Sequence, residues 1–250
     1  MAGFQEVKVG RELDFVGRAE FNPNVKGNFS TERMCSVDWF DQTALDVTYG
    51  YTQTLGGTND LGALVASGEH GFKGTCGDTD NEVSFLATGL IFDITQSPEI
   101  EAKIKITNVS GTVVYFGFSD ATSETTPAAT IDADGGTLTN AATDAAGFVI
   151  DADLGTSSIY SASVNNQSAG GTVQSVDSTI DWGDNESKIL RVKLDSSGNA
   201  TFYVDGVAKG YLALAVADVP LCATLNYGQR AGEANQLVYM RYLKKWQNIP

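Results

Sequence analysis

Between Lys188 and Gly210 apolar and polar residues alternate with a period of two. Leu190, Val192 and Leu194 interleave with Arg191, Lys193 and Asp195, and Ala200, Phe202 and Val204 with Thr201, Tyr203 and Asp205. A period of two predicts strands with one dry and one wet face. Ser196-Ser197-Gly198-Asn199 predicts the turn between them. Asp205-Gly206 predicts a second tight turn, because glycine tolerates the positive φ that such turns need. The stretch therefore reads as a β-meander of two strands leading into a third.

The same pattern recurs along the chain. In Glu99 to Thr107, Ile100, Ala102, Ile104 and Ile106 face one way, and Glu99, Glu101, Lys103 and Lys105 the other. Val113 to Phe118 is continuously apolar, which predicts a strand buried on both faces. These two strands are expected to pair as neighbours across the turn-rich loop Asn108 to Thr112. Leu45, Val47, Tyr49 and Tyr51 keep the period, and Glu82 to Thr95 offers one or two strands broken at Thr88-Gly89. Phe148, Ile150 and Ile159-Tyr160 mark two more. Ala121 to Asp144 is small, polar and rich in Thr, Ala and Gly, and reads as a long irregular surface excursion. Leu61 to Gly74 shows no clear type, and Leu212 to Val219 is open to a short helical turn, a loop or a strand. The total is about ten to fourteen short strands, the pattern of a two-sheet sandwich.

Met1 to Arg33 differs from the rest in having few turn signals and no long period. It reads either as a strand lying on its own domain or as an arm that docks on a neighbouring subunit.

Charge sharpens that division. The 250 residues carry a net charge of −15. Met1 to Arg33 is balanced, with five basic and five acidic residues. Met34 to Ser187 carries 22 acidic and three basic residues, and Lys188 to Pro250 carries eight basic and four acidic ones. So acidic a chain repels phosphate, which argues against a nucleic-acid partner. No apolar run is long enough to span a membrane, and the first residues lack the apolar core of a secretory signal. Cys35, Cys76 and Cys222 are an odd count at wide spacing and read as reduced, buried residues of a protein made in a cytoplasm.

The wording of the meander adds a resemblance. D-x-x-G-x-x-x-F-Y-V-D-G, from Asp195 to Gly206, resembles the penultimate hairpin of laminin-G-like, concanavalin A-like jelly rolls. Trp39-Phe40-Asp41 is similar to the entry of such a domain, Ala146-Gly147-Phe148 with Ile150 to its central strand, and Leu237 to Trp246 to its closing strand. The resemblance covers about Val37 to the end. It implies an all-β, two-sheet antiparallel jelly-roll sandwich over residues 37–250, preceded by an extended N-terminal arm over residues 1–36. It also implies that Trp182 packs under the 188–210 hairpin.

Catalytic equipment is sparse at the level of sequence. The one histidine, His70, lies in a Gly-rich loop, and no Gly-x-Ser-x-Gly elbow occurs. Concanavalin A-like glycosidases usually place their carboxylates as a Glu/Asp/Glu cluster on one strand. Here Glu99 and Glu101 share a face that Lys103 and Lys105 continue, which reads as a solvated, ion-paired stripe. Asp78-x-Asp80-Asn81-Glu82, Asp132-x-Asp134 and Asp151-x-Asp153 supply oxygen ligands of the kind calcium favours, without the spacing of an EF-hand. Solvated loops are the default reading of these, and no cofactor or metal is expected.

The chain is therefore expected not to be an enzyme. The sequence resembles the laminin-G-like virion proteins of tailed bacteriophages, which implies a capsid decoration or cement protein on the virion surface. Its partners would be the major capsid protein and further copies of itself, most simply as a homotrimer. Phe4, Val7, Val9, Leu13 and Phe15 are then the candidate interface. The alternative is a carbohydrate-binding module or adhesin that stacks sugars on exposed aromatics, for which Tyr49, Tyr51, Trp182, Tyr203 and Tyr211 are candidates, although core packing is the commoner fate of such residues.

Overall fold

A computed structural model describes residues 15–16, 33–40, 45, 50–56, 60–65, 70–124, 129–230 and 236–248. Its first nine strands are β1 (Phe15–Val16), β2 (Arg33–Asp38), β3 (Tyr51–Thr54), β4 (Asp60–Val65), β5 (Gly71–Thr75), β6 (Val83–Thr88), β7 (Glu99–Ile106), β8 (Thr112–Ser119) and β9 (Ile131–Asp134). There follow β10 (Thr137–Asn140), β11 (Ala145–Asp151), β12 (Ser158–Val164), β13 (Gln174–Asp181), β14 (Ser187–Leu194), β15 (Ala200–Val204), β16 (Val207–Leu212), β17 (Cys222–Gln229) and β18 (Leu237–Asn248).

They form two sheets. The nine-stranded sheet runs β1-β2-β18-β7-β14-β15-β16, with β5 joining the same edge of β18 as β2 and with β4 beyond β5. The seven-stranded sheet runs β13-β12-β11-β8-β17-β6-β3. All pairings within these sheets are antiparallel except that of β1 with β2. The core lies between the sheets, where the apolar positions of β7, β14 and β15 meet Phe116, Phe118, Phe148, Leu225 and Tyr227.

The meander forms as its sequence predicts. Leu190 to Leu194 pairs with Ala200 to Val204, and Asp205 and Gly206 both take positive φ in the turn that follows. Asp195 fixes the first turn: its carboxylate accepts from Ser197 N at 2.9 Å and Asn199 N at 3.0 Å. Trp182 is buried near the start of β14, and its indole N–H donates to the Glu186 carbonyl at 3.0 Å.

Two expectations are corrected. β7 and β8 do not pair; β7 lies between β14 and β18, and β8 between β11 and β17. The chain arches from one sheet to the other through a 3-10 turn at Val109–Gly111, whose first amide is held by Asp184 at 2.8 Å. The reason is burial. The apolar side of β7 and one side of β8 are each satisfied by facing the other across the core, which a hairpin within one sheet would forbid. The excursion 121–144 is not irregular: β9 and β10 form a hairpin, and Ile131, with Ala142 after it, packs on Tyr115, Ala145 and Val149, covering the outer side of the seven-stranded sheet. Residues 61–74, without clear type in the sequence, contribute β4 and β5. Residues 213–220 form a loop.

All three cysteines are buried and carry free thiols. Burial pushes the thiols of Cys76 and Cys222 up to about 12. β2 runs through position 36, where the arm was expected to end, and Phe15 in β1 stands beside Ser36. Phe4, Val7, Val9 and Leu13 lie outside the described residues.

Candidate functional site

Because successive side chains of a strand point to opposite faces, the polar half of each period in the nine-stranded sheet gathers on its outer face. Register then sets which residues stand side by side. One row runs Lys244, Glu101, Arg191, Tyr203 across β18, β7, β14 and β15. The next runs Trp246, Glu99, Lys193, Thr201, Tyr211 and reaches β16. Five strands at the usual spacing make this face about 19 Å wide.

A bulge in β18 assembles one end of it. Arg241 and Tyr242 together stand opposite a single position of β7, which returns Tyr242, Lys244 and Trp246 to the outer face after Met240 has pointed inward. Cys35, Val37, Tyr242 and Trp246 form a small apolar cluster there, and Trp39 lies 5.4 Å from the Tyr242 ring. Trp39 is 45% exposed, and Tyr211, at the far end of the face, 59%.

Between these aromatic ends lie charged groups in fixed geometry. The Arg191 guanidinium sits 4.0 Å from the Tyr203 ring centroid and 3.1 Å from Glu99. Lys244 is 3.5 Å from Glu101, which also accepts from the Tyr242 hydroxyl at 2.9 Å. Burial, with the Glu101 charge beside it, raises the Tyr242 phenol and keeps it protonated as the donor. Glu99 is only 4% exposed. The stripe read as solvated and ion-paired is indeed paired, but Glu99 is buried within it. Aromatic planes flanking positioned donors and acceptors make a surface suited to a polyhydroxylated ligand, whose C–H faces stack on rings while its hydroxyls bond the charged groups.

Of the aromatics singled out from sequence, Tyr203 and Tyr211 lie on this face. Tyr51 and Trp182 are core residues, and Tyr49 lies outside the described residues. Trp39, Tyr239, Tyr242 and Trp246 were missed as a group. The alternation in Leu237 to Trp246 signals a strand, but the bulge that brings its aromatics to one face leaves no mark in the period. His70 is exposed and far in sequence from any of these.

The calcium-like pairs meet elsewhere. Arg230, after β17, is 3.4 Å from Asp132, 2.8 Å from Asp151 and 3.5 Å from Asp153. A guanidinium thus occupies the position between carboxylates where a cation would stand. Among the described residues no group of three His, Cys, Asp or Glu is arranged to hold a metal ion. Burial, offset in part by Arg230, raises Asp132 to about 6.

A second carboxylate pair lies at the end of β8. Burial and the neighbouring charge of Asp120 raise Glu124 to about 7. A carboxyl raised on folding contributes stability that is complete below its unfolded pKa and is lost as pH rises through its folded one. Glu124→Gln should therefore raise the melting temperature at pH 8 and leave it unchanged at pH 4.5. Thermal unfolding at the two pH values measures this, and an equal effect at both would rule out the proposed ionisation cost.

No family model matches the chain, and no curated protein matches it. Solved structures do. The chain is similar to the β-glucanase of Bacillus licheniformis, with 13% identity, a TM-score of 0.57, and coverage of 86% of this chain and 98% of that one. The fold is a concanavalin A-like jelly roll. The catalytic domain of an endo-1,3-β-glucanase (laminarinase) from Thermotoga petrophila is similar at 13% identity and a TM-score of 0.56, over 88% of this chain and all of that one. So is a structure from work on the endo-acting O-glycanases with which human gut microbes initiate mucin breakdown, at 13% identity, a TM-score of 0.55, and coverage of 86% and 98%.

These neighbours overturn the expectation that the chain is not an enzyme. The jelly roll they share with it is itself a carrier of glycan hydrolysis, so a missing one-strand Glu/Asp/Glu cluster gives no ground for excluding catalysis. Carboxylates gather from separate segments without leaving a local motif, as Asp132 and Asp151 do around Arg230. At this identity the likeness shows the fold and not the activity.

Proposed function

We propose that this jelly roll recognises a polysaccharide on the outer face of its nine-stranded sheet. The observation that carries the reading is the pair of side-chain rows crossing that face, with Tyr211 at one end, Trp39 at the other and the paired Arg191, Glu99, Lys244 and Glu101 between. Three carbohydrate-active proteins with the same fold support it. The capsid-decoration reading gains no support from these likenesses, and four of its five interface residues lie outside the described residues.

Affinity electrophoresis through gels containing different polysaccharides tests the proposal. At least one polysaccharide should retard the protein. Tyr211→Ala, which removes an exposed ring and disturbs no core contact, should weaken that retardation about five- to ten-fold, the loss of roughly 1–1.4 kcal/mol of stacking. Retardation unchanged by Tyr211→Ala and Trp39→Ala together would place the site elsewhere. The same incubations, assayed for new reducing ends, report turnover, and release abolished by Glu101→Gln would assign that carboxylate to it.

A further inference from the structure

Leu90 and Ile91 follow one another in the turn after β6, and neither turns inward: they are 49% and 53% exposed. The Ile91 amide donates to the Gly89 carbonyl at 2.9 Å, which fixes the turn. Phe92, next in the chain, is buried and meets Phe118 edge to face in the core. Its backbone exchanges two bonds with Leu221, each 2.9 Å long. This bridge fastens segment 90–93 to segment 218–221. Between them lies a groove of about 270 Å³, lined by Leu90, Ile91, Phe92, Val219 and Pro220, with Asp93 on one wall and Asp218 on the other. Single exposed aliphatics are ordinary, but adjacent ones lining a groove anchored in the core make a preformed apolar seat.

The seat stands in a one-sided electrostatic setting. Antiparallel pairing gathers the connections 89–98, 165–173, 195–199 and 213–221, with 120–124 and 141–144, at one end of the sandwich. These segments carry Asp93, Asp120, Glu124, Asp144, Asp195 and Asp218, and no lysine, arginine or histidine. Several of these acids serve their own loops. Asp144 accepts from the Asn166 and Ala217 amides, and Asp120 from the Thr143 hydroxyl. Asp195 closes its turn and feels Lys193. The cations at the matching end of β18 are also engaged: Lys244 pairs with Glu101, and Lys245 lies 5.6 Å over the Tyr51 ring. The two acids of the groove are different. Both are exposed, and among the described residues no cation is paired with either. Asp93 accepts from the amide and hydroxyl of Thr95, at 2.8 and 2.6 Å.

We infer that this groove docks a second protein, through a segment that sets lysine or arginine on either side of one or two aliphatic side chains. The aliphatic groups fill the seat and supply most of the affinity, while the cations meet Asp93 and Asp218 and select the partner. An acidic rim disfavours anionic lipid and nucleic acid by the same charge. The inference is independent of the polysaccharide reading, since the groove lies at an end of the sandwich and not on the face of the nine-stranded sheet.

Three blocked hexapeptides separate the apolar and charged contributions: Gly-Lys-Leu-Leu-Lys-Gly, Gly-Glu-Leu-Leu-Glu-Gly and Gly-Lys-Ser-Ser-Lys-Gly. Each is titrated into the full, nitrogen-15-labelled chain and followed through its amide resonances. The lysine–leucine peptide should give saturable shifts at Ile91, Phe92, Val219 and Leu221, and should bind about ten-fold more tightly than either of the others. Ile91→Ser should weaken it about five-fold. Asp218→Lys should cancel its advantage over the glutamate peptide. Both substitutions change exposed side chains, so amides remote from the groove should keep their positions. Equal binding of the lysine and glutamate peptides, or no shift at these four amides, would overturn the inference. A dimer in sedimentation velocity, or flotation with phosphatidylcholine vesicles, that is lost in Ile91→Ser would assign the groove to a second copy or to a lipid surface and overturn it as well.

Discussion

Replacing Arg230 with Met should cost the protein about 3–5 kcal/mol of stability, the usual penalty for leaving a buried ion without its partner. The Asp151 carboxylate has no solvent exposure and receives two bonds from Arg230, Nε at 3.0 Å and Nη2 at 2.8 Å. The same guanidinium bonds the Ala133 carbonyl at 3.1 Å and the Asn81 amide oxygen. It thereby ties β17, β11, β9 and the 78–82 loop together at one end of the sandwich. Without it, Asp151 keeps only the amides of Ala133 and Asp153 and stands beside two further carboxylates. Burial already raises Asp132 to about 6 with the arginine present, and removing that charge raises it further. An acid raised on folding destabilises as pH rises, so the deficit of the variant should shrink between pH 7 and pH 5. Urea denaturation at both pH values measures it. A loss under 1 kcal/mol, or one that does not change with pH, would mean that water and not Arg230 satisfies the cluster. Asp151→Asn in the Arg230→Met background should recover part of the loss.

Phe148→Ala should cost a similar amount, about 3–5 kcal/mol for a ring deleted from a sealed core. Phe148 belongs to the seven-stranded sheet and Phe202 to the nine-stranded one, and their rings meet edge to face at 5.4 Å. Both are fully buried. The pair joins the two layers directly, and the backbone at each ring is paired to a strand on either side, so little collapse can fill the void. For a chain of this size the loss corresponds to a fall in melting temperature of about 10 °C. Phe148→Leu should cost less than half as much. A double-mutant cycle with Phe202→Leu should return a coupling of about 1 kcal/mol. Additive effects would show that the rings do not meet across the core.

Much of this architecture was legible in the chain. The alternation in Glu99 to Thr107 and Leu190 to Leu194 assigns every inward residue correctly, because a strand half in and half out of water records its own orientation. The apolar run Val113 to Phe118 likewise announced burial on both sides. What alternation does not record is the partner. β7 and β8 were read as a hairpin because adjacency in sequence is the only cue available, whereas each pairs with strands far along the chain. The charged stripe of β7 and the aromatic ends were each visible as residues but not as one surface, since register across β18, β7, β14, β15 and β16 decides which stand together. Arg230 carried no signal at all, because its three carboxylates come from segments about 80 to 100 positions away.

The position of β18 governs when the protein can form. It lies between β7 and both β2 and β5, so the nine-stranded sheet lacks a central member until residue 248 has been made. At ordinary rates of synthesis, on the order of 10–40 s separate the emergence of β2 from that of its partner. During that time β2 has only the short β1 to cover it, and the apolar side of β7 is exposed along one edge. Such long-range closure is slow and leaves unpaired strand edges open to other chains. The nine-stranded sheet is thus closed only when β18 slots into the gap.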